Sequence, residues 1–143
     1  MTTPTERSIR AALEELGDDD EMSLVVYRPS NRDFNWKPAD FLVWWKPGRS
    51  AAIEVKLWRR KTPLPLSELR SSQQLFSHLF HLANARYWVV IWWAGYGRWT
   101  FTEIGRLEGQ THLSFENART WGAEASPRDL TAILKMVLLG EVG

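Results

Sequence analysis

Two apolar runs, Phe41 to Trp45 and Ala51 to Ile53, separated by Lys46-Pro47-Gly48-Arg49, constrain this chain more than anything else in it. A Pro-Gly pair between two strand-like runs marks a turn, so the runs close as a β-hairpin. Closure lays Asp40, which precedes the first run, beside Glu54, which follows the second. Strand side chains alternate with period 2, so Glu54 and Lys56 share one face. Two carboxylates and an ammonium group then converge at the end of the hairpin. Such a cluster can hold a divalent cation and orient a water molecule against a phosphate.

The length, 143 residues, suits a single domain with a sizeable core. We expect a core over about residues 4–104 and an extension of strand and helix over about 105–143. No stretch of 18 apolar residues is present, so no membrane-spanning helix is expected. The N-terminus lacks a basic segment followed by an apolar one, so no signal peptide is expected. The chain contains no cysteine, which excludes disulfides and thiolate metal sites and suits a reducing cytoplasm.

The net charge of +1 says little about partners, but its distribution says more. Glu14, Glu15, Asp18, Asp19, Asp20 and Glu21 form an acidic stretch. Residues 46–70 carry seven bases, including Arg59, Arg60, Lys61 and Arg70, against Glu54 and Glu68. A basic stretch beside paired acids suits a polyanionic substrate; a solvated surface is the plainer reading. The nine tryptophans include the pairs Trp44-Trp45 and Trp92-Trp93. On a strand the members of a pair point to opposite faces, one into the core and one outward. Trp36 and Trp58 flank the paired acids and are candidates for substrate contact.

Ile9, Leu13 and Leu16 recur at helical spacing, which predicts a helix over 4–16 that stops at Gly17. Glu6, three residues before Ile9, projects from the same stripe. Residues 18–21 read as a loop, Ser23 to Tyr27 as a strand, and Arg28 to Lys37 as a polar loop. Phe41 to Trp45 and Ser50 to Leu57 show no polar alternation, which predicts strands covered on both faces. Ser67 to Asn84 reads as a second helix, with Gln73 on the stripe of Leu69, Phe76 and Phe80. Tyr87 to Trp93 reads as a buried strand, and Arg98 to Ile104 as another. Residues 105–125 read as a short strand near His112 followed by a loop. Ser126-Pro127 starts a last helix, which runs to about Leu139. The order predicts an α/β fold, a mixed central sheet flanked by helices.

Phosphodiester hydrolysis needs a cation to offset transition-state charge, an oriented water, and help for the leaving oxygen. Magnesium takes oxygen ligands, usually one or two carboxylates with water and phosphate. Asp40 and Glu54 supply two, the Val55 carbonyl a third oxygen, and Lys56 an ammonium for the attacking water. A strand-end ion pair is the competing reading of Glu54 and Lys56. Their apolar surroundings favour a site, because burying an acid and an amine costs roughly several kcal/mol unless they are well paired or functional. His78 and His81 lack a third zinc ligand, and Gly95-x-Gly97 lacks the lysine and spacing of a phosphate loop.

The Asp40, Glu54, Lys56 arrangement resembles that of the PD-(D/E)xK nuclease superfamily, most nearly the archaeal-type and virus-carried Holliday junction resolvases. The first helix, from Glu6-Arg7-Ser8-Ile9 to Gly17, the strand ending Val25-Val26-Tyr27-Arg28, and the serine Ser30 in the following loop resemble theirs. Leu69-Arg70-Ser71-Ser72-Gln73 resembles a helix of related phage and viral repair nucleases whose glutamine faces the site. The likeness spans roughly residues 4–93. Pro38 is one residue removed from Asp40, where the family has the two adjacent; a bulge or offset loop would absorb the difference.

This resemblance implies a restriction-endonuclease-like core and a Mg2+-dependent endodeoxyribonuclease (Mn2+ a possible substitute) acting on branched or double-stranded DNA as a homodimer. It implies that Asp40, Glu54, Val55 and Glu6 bind metal, Lys56 positions the water, and Gln73 supports it. Arg28, Ser30, Arg32, Lys37, Arg59, Arg60, Lys61 and Arg70 are candidate DNA contacts. Such an enzyme would act in the cytoplasm, a host's if virus- or phage-encoded. Two alternatives stay open: a repair, flap or restriction-type nuclease of the same fold, and a non-cutting DNA-binding module.

Overall fold

The computed structural model describes residues 4–29, 39–68 and 86–141. Helix α1 spans Pro4–Gly17. Ile9, Ala12, Leu13 and Leu16 are buried along it, the i, i+3, i+4, i+7 pattern of a helix with one face in the core. The chain reverses through the acidic loop, where Asp19 Oδ1 accepts the N–H groups of Glu21 and Met22 at 2.9 and 3.1 Å. Strand β1 (Val25–Tyr27) follows, then the hairpin of β2 (Phe41–Trp45) and β3 (Arg49–Trp58).

The hairpin has the register expected from its two apolar runs, Phe41 opposite Ile53 and Trp45 opposite Arg49. Gly48 turns the chain at φ +91°, a conformation that only glycine adopts freely. The two strands differ in cover. β3 is buried on both faces over Ala51 to Val55. β2 alternates, with Trp45 in the core and Trp44 45% exposed. The expectation of two covered faces therefore holds for β3 and fails for β2, which lies one strand from the sheet edge.

After β3 come the short β4 (Leu64–Pro65) and a 3-10 turn at Leu66–Glu68. Strand β5 (Arg86–Trp93) pairs parallel to β3 over its length, from Ala51 opposite Arg86 to Trp58 opposite Trp93. β6 (Arg98–Glu103) is antiparallel to β5, and a 3-10 turn covers Ile104–Leu107. β7 (His112–Leu113) pairs with β4. The six-stranded sheet has the order β1-β2-β3-β5-β6-β8, with β8 spanning Ala123–Ala125. It is mixed, with helices on its faces, as the sequence predicts.

Residues 105–125 hold more structure than the sequence suggests. A helix, α2, spans Phe115–Trp121 and starts at Ser114, whose hydroxyl accepts the Asn117 N–H at 3.1 Å. Strand β8 (Ala123–Ala125) pairs with β6. Alanine and glutamate are poor strand formers, so this strand owes its existence to its neighbour. Ser126 caps a 3-10 turn at Pro127–Asp129, which leads into α3 (Leu130–Leu139).

The sheet separates two apolar layers. One face packs Phe41, Val43, Ile53, Val55, Val90 and Phe101 against α1 and α3. The other packs Ala52, Val89, Ile91 and Trp93 with Leu64, Leu107, Leu113 and Ala118. Alternation along β3 puts the odd-numbered residues on the first face and the even-numbered ones, Glu54 and Lys56 among them, on the second.

Candidate active site

The site grows from a mismatch in strand length. β2 begins at Phe41 opposite Ile53, whereas β3 continues to Trp58 along β5. The side of β3 that faces β2 therefore loses its ladder partner just past Ile53. Asp40 fills that gap: its Oδ2 accepts the Val55 N–H at 2.8 Å. A strand residue's N–H and C=O point to the same side, so the Val55 carbonyl also faces the end of β2. Asp40 is 4% exposed and Glu54 2% exposed. The two buried acids thus flank one another at the end of the hairpin.

Lys56 is two residues beyond Glu54 on the same face. Its Nζ lies 3.6 Å from Glu54 Oε2 and donates to the Glu68 carbonyl at 3.0 Å. An ammonium group has three donors; the Glu68 carbonyl takes one and the 3.6 Å approach to Glu54 is an ion pair beyond hydrogen-bond distance, so N–H groups remain for a further oxygen. The sequence gives no sign of the Glu68 contact, because a main-chain acceptor leaves no residue signature.

Glu6 sits in the first turn of α1, the helix on the opposite face of the sheet, and Arg28 Nη2 pairs with its Oε2 at 3.1 Å. Arg28 is thereby a partner of Glu6 and is half-buried. Arg59, Arg60 and Lys61 lie exposed in the loop after β3. Trp58 is partly buried, its indole N–H donating to the Thr62 carbonyl at 2.7 Å. Ser30, Arg32, Trp36, Lys37, Pro38, Arg70, Gln73, His78 and His81 lie outside the described residues.

The donor set suits a hard cation, since carboxylate and carbonyl oxygens are what magnesium takes. Among the described residues no group of three or more acidic, histidine or cysteine side chains is gathered to hold a metal. The protein acids at the centre are two, Asp40 and Glu54, which is the usual number for magnesium. No helix among the described residues is long and apolar enough to cross a membrane.

No family model matches this chain, and no curated protein matches it by sequence. Among solved structures it is similar to Hjc, a Holliday junction resolvase from the archaeal hyperthermophile Archaeoglobus fulgidus. The TM-score is 0.57 at 19% identity, over 82% of this chain and 90% of that one. At that identity the likeness shows a shared fold, the restriction-endonuclease-like α/β arrangement.

Proposed function

We propose that this protein is a divalent-metal-dependent endodeoxyribonuclease that cuts branched DNA, most specifically as a Holliday junction resolvase. The observation that carries the reading is the buried pair Asp40 and Glu54 with Lys56 Nζ 3.6 Å from Glu54. Burying two acids beside each other costs roughly several kcal/mol unless they are paired or serve a site. The shared fold with an archaeal resolvase supports branched DNA as the substrate class on this reading.

On this reading Asp40, Glu54 and the Val55 carbonyl would hold Mg2+ or Mn2+, and Glu6, ion-paired with Arg28 at the same end of the sheet, would support that site. The ion would offset charge on the phosphate and the leaving oxygen. The Asp40–Val55 hydrogen bond fixes one acid to the backbone of the strand that carries the other, so the pair keeps its spacing without DNA. Lys56, hydrogen-bonded to the Glu68 carbonyl and ion-paired with Glu54, presents a remaining N–H to the attacking water and keeps that water's lone pair toward phosphorus. Gln73 is assigned a supporting contact. Arg59, Arg60 and Lys61 meet backbone phosphates, so recognition is by shape and charge more than by base edges. Symmetric resolution needs two cuts, which calls for a homodimer with paired sites.

The test is a cleavage panel of four-way junction, flap and linear duplex, with Mg2+ and with chelator. We expect Mg2+-dependent cuts in two opposed junction strands. Asp40→Asn, Glu54→Gln and Lys56→Ala should each lower the rate by about a hundredfold or more while junction binding persists. Preferential cutting of flaps would move the enzyme to the repair type. Undiminished cutting by any two of the variants would remove the site assignment.

A further inference from the structure

The geometry points to a built phosphate-binding site at Lys61, held in place by Gly95 and an aromatic stack rooted in the core. This inference rests on the nuclease reading and names how the same protein grips DNA beside the cut. Lys61 leaves β3 three residues after Trp58 and folds over the β5–β6 turn. Its Nζ lies 5.6 Å from the centroid of the Tyr96 ring. The other side of that ring stacks on Phe115, with centroids 4.2 Å apart and planes at 9°. Phe115 meets the fully buried Trp93 edge-on at 5.7 Å. The ring under the ammonium is therefore fixed, although Tyr96 itself is exposed.

Two further contacts fix the lysine's own chain. The Tyr96 hydroxyl donates to the Lys61 carbonyl at 3.3 Å. Gly95 lets the aliphatic stem pass: a Cβ there would lie 2.9 Å from Lys61 Cγ, closer than carbon atoms pack. An exposed lysine usually moves freely and binds an anion as a loose point charge. Here the π face holds the ammonium without neutralising it, and among the described residues no carboxylate pairs with Lys61, Arg59 or Arg60. Three consecutive cations, one of them held in position, match a polyanion.

The location gives the role. β3 carries Glu54, Lys56 and Trp58 in order toward this loop, and four strand residues span about 13 Å. Lys61 is thus too far along to act at the reacting phosphate and meets one that flanks it.

The experiment measures binding of a labelled four-way junction by the full chain in chelator, where no cutting occurs, across a salt series. Lys61→Ala should reduce the slope of log affinity against log salt by about one, the signature of one lost phosphate contact. Tyr96→Leu and Gly95→Ala keep every charge, yet each should weaken binding about two- to fivefold. Matched thermal unfolding midpoints guard against misfolding, and either charge-preserving variant suffices. An unchanged slope for Lys61→Ala overturns the site. A reduced slope with both charge-preserving variants at parental affinity shows an ordinary solvated lysine and overturns it too. A parent chain that binds no junction instead overturns the nuclease reading, and this site with it.

Discussion

On the proposed reading single residues decide the chemistry, and one decides a fold junction. Asp40 accepts the Val55 N–H, which has no strand partner on the β2 side, and so lies at the strand position next to Glu54. Asparagine keeps a hydrogen-bond acceptor at that position, so Asp40→Asn separates the chemistry from the scaffold. Gly122 has a steric role, at the step from α2 to β8. A Cβ there would overlap the Phe101 carbonyl oxygen, a backbone atom that cannot move aside. Gly122→Ala should cost on the order of 2 kcal/mol, seen as a lower urea midpoint with an unchanged slope. The covered setting of Glu54 and its pairing with Lys56 were legible in the sequence, because a Glu-x-Lys in an apolar run is anomalous. Gly122 was not, because its constraint comes from a strand distant in the chain. Nor was the Lys61–Tyr96 contact, which joins two loops 35 residues apart.

At the scale of elements, the hairpin, β5, β6, α1 and α3 follow from pattern: period 3.6 in α1, dense apolar runs in the buried strands, and Pro-Gly at the turn. In the region 105–125 the short strand at His112 was legible, but α2 and β8 were not, because α2 is only two turns long and β8 is held by β6 rather than by propensity. The layer of helices against one sheet face has its own electrostatic tie. Lys135 Nζ of α3 donates to Asp19 Oδ2 at 2.9 Å, just past the end of α1. The hydrogen bond from Lys135 is the main cause holding the Asp19 carboxyl below its ordinary 3.8, helped by the Met22 and Glu21 N–H groups. The same bond raises Lys135 above 10.5. A depressed acid contributes stability above its unfolded value and loses it as pH falls through the folded one. A raised amine contributes below its unfolded value and loses it as pH rises through the folded one. Lys135→Met should therefore be less stable than the parent at neutral pH, with the difference shrinking below 3.8 and above 10.5. Urea midpoints at the three pH ranges check this.

For the whole molecule, topology explains why the site lies where it does. The parallel β3–β5 pair is the centre of the sheet, and the shorter β2 leaves β3 with an open side just where Glu54 and Lys56 emerge. Glu54 thus sits on a central strand, and Asp40, which precedes β2, is tied to that strand by its hydrogen bond from the Val55 N–H. The likeness to an archaeal resolvase over most of both chains fits that arrangement, and the sequence already pointed to it through the order of helix, strand, hairpin and acidic pair. The account turns on whether Asp40 and Glu54 together hold a divalent ion. Isothermal titration of Mn2+ into the parent, Asp40→Asn and Glu54→Gln measures this without reference to cutting. Saturable binding by the parent that is lost in both variants is the predicted result; a parent that takes up no ion, or two variants that bind as the parent does, would contradict it.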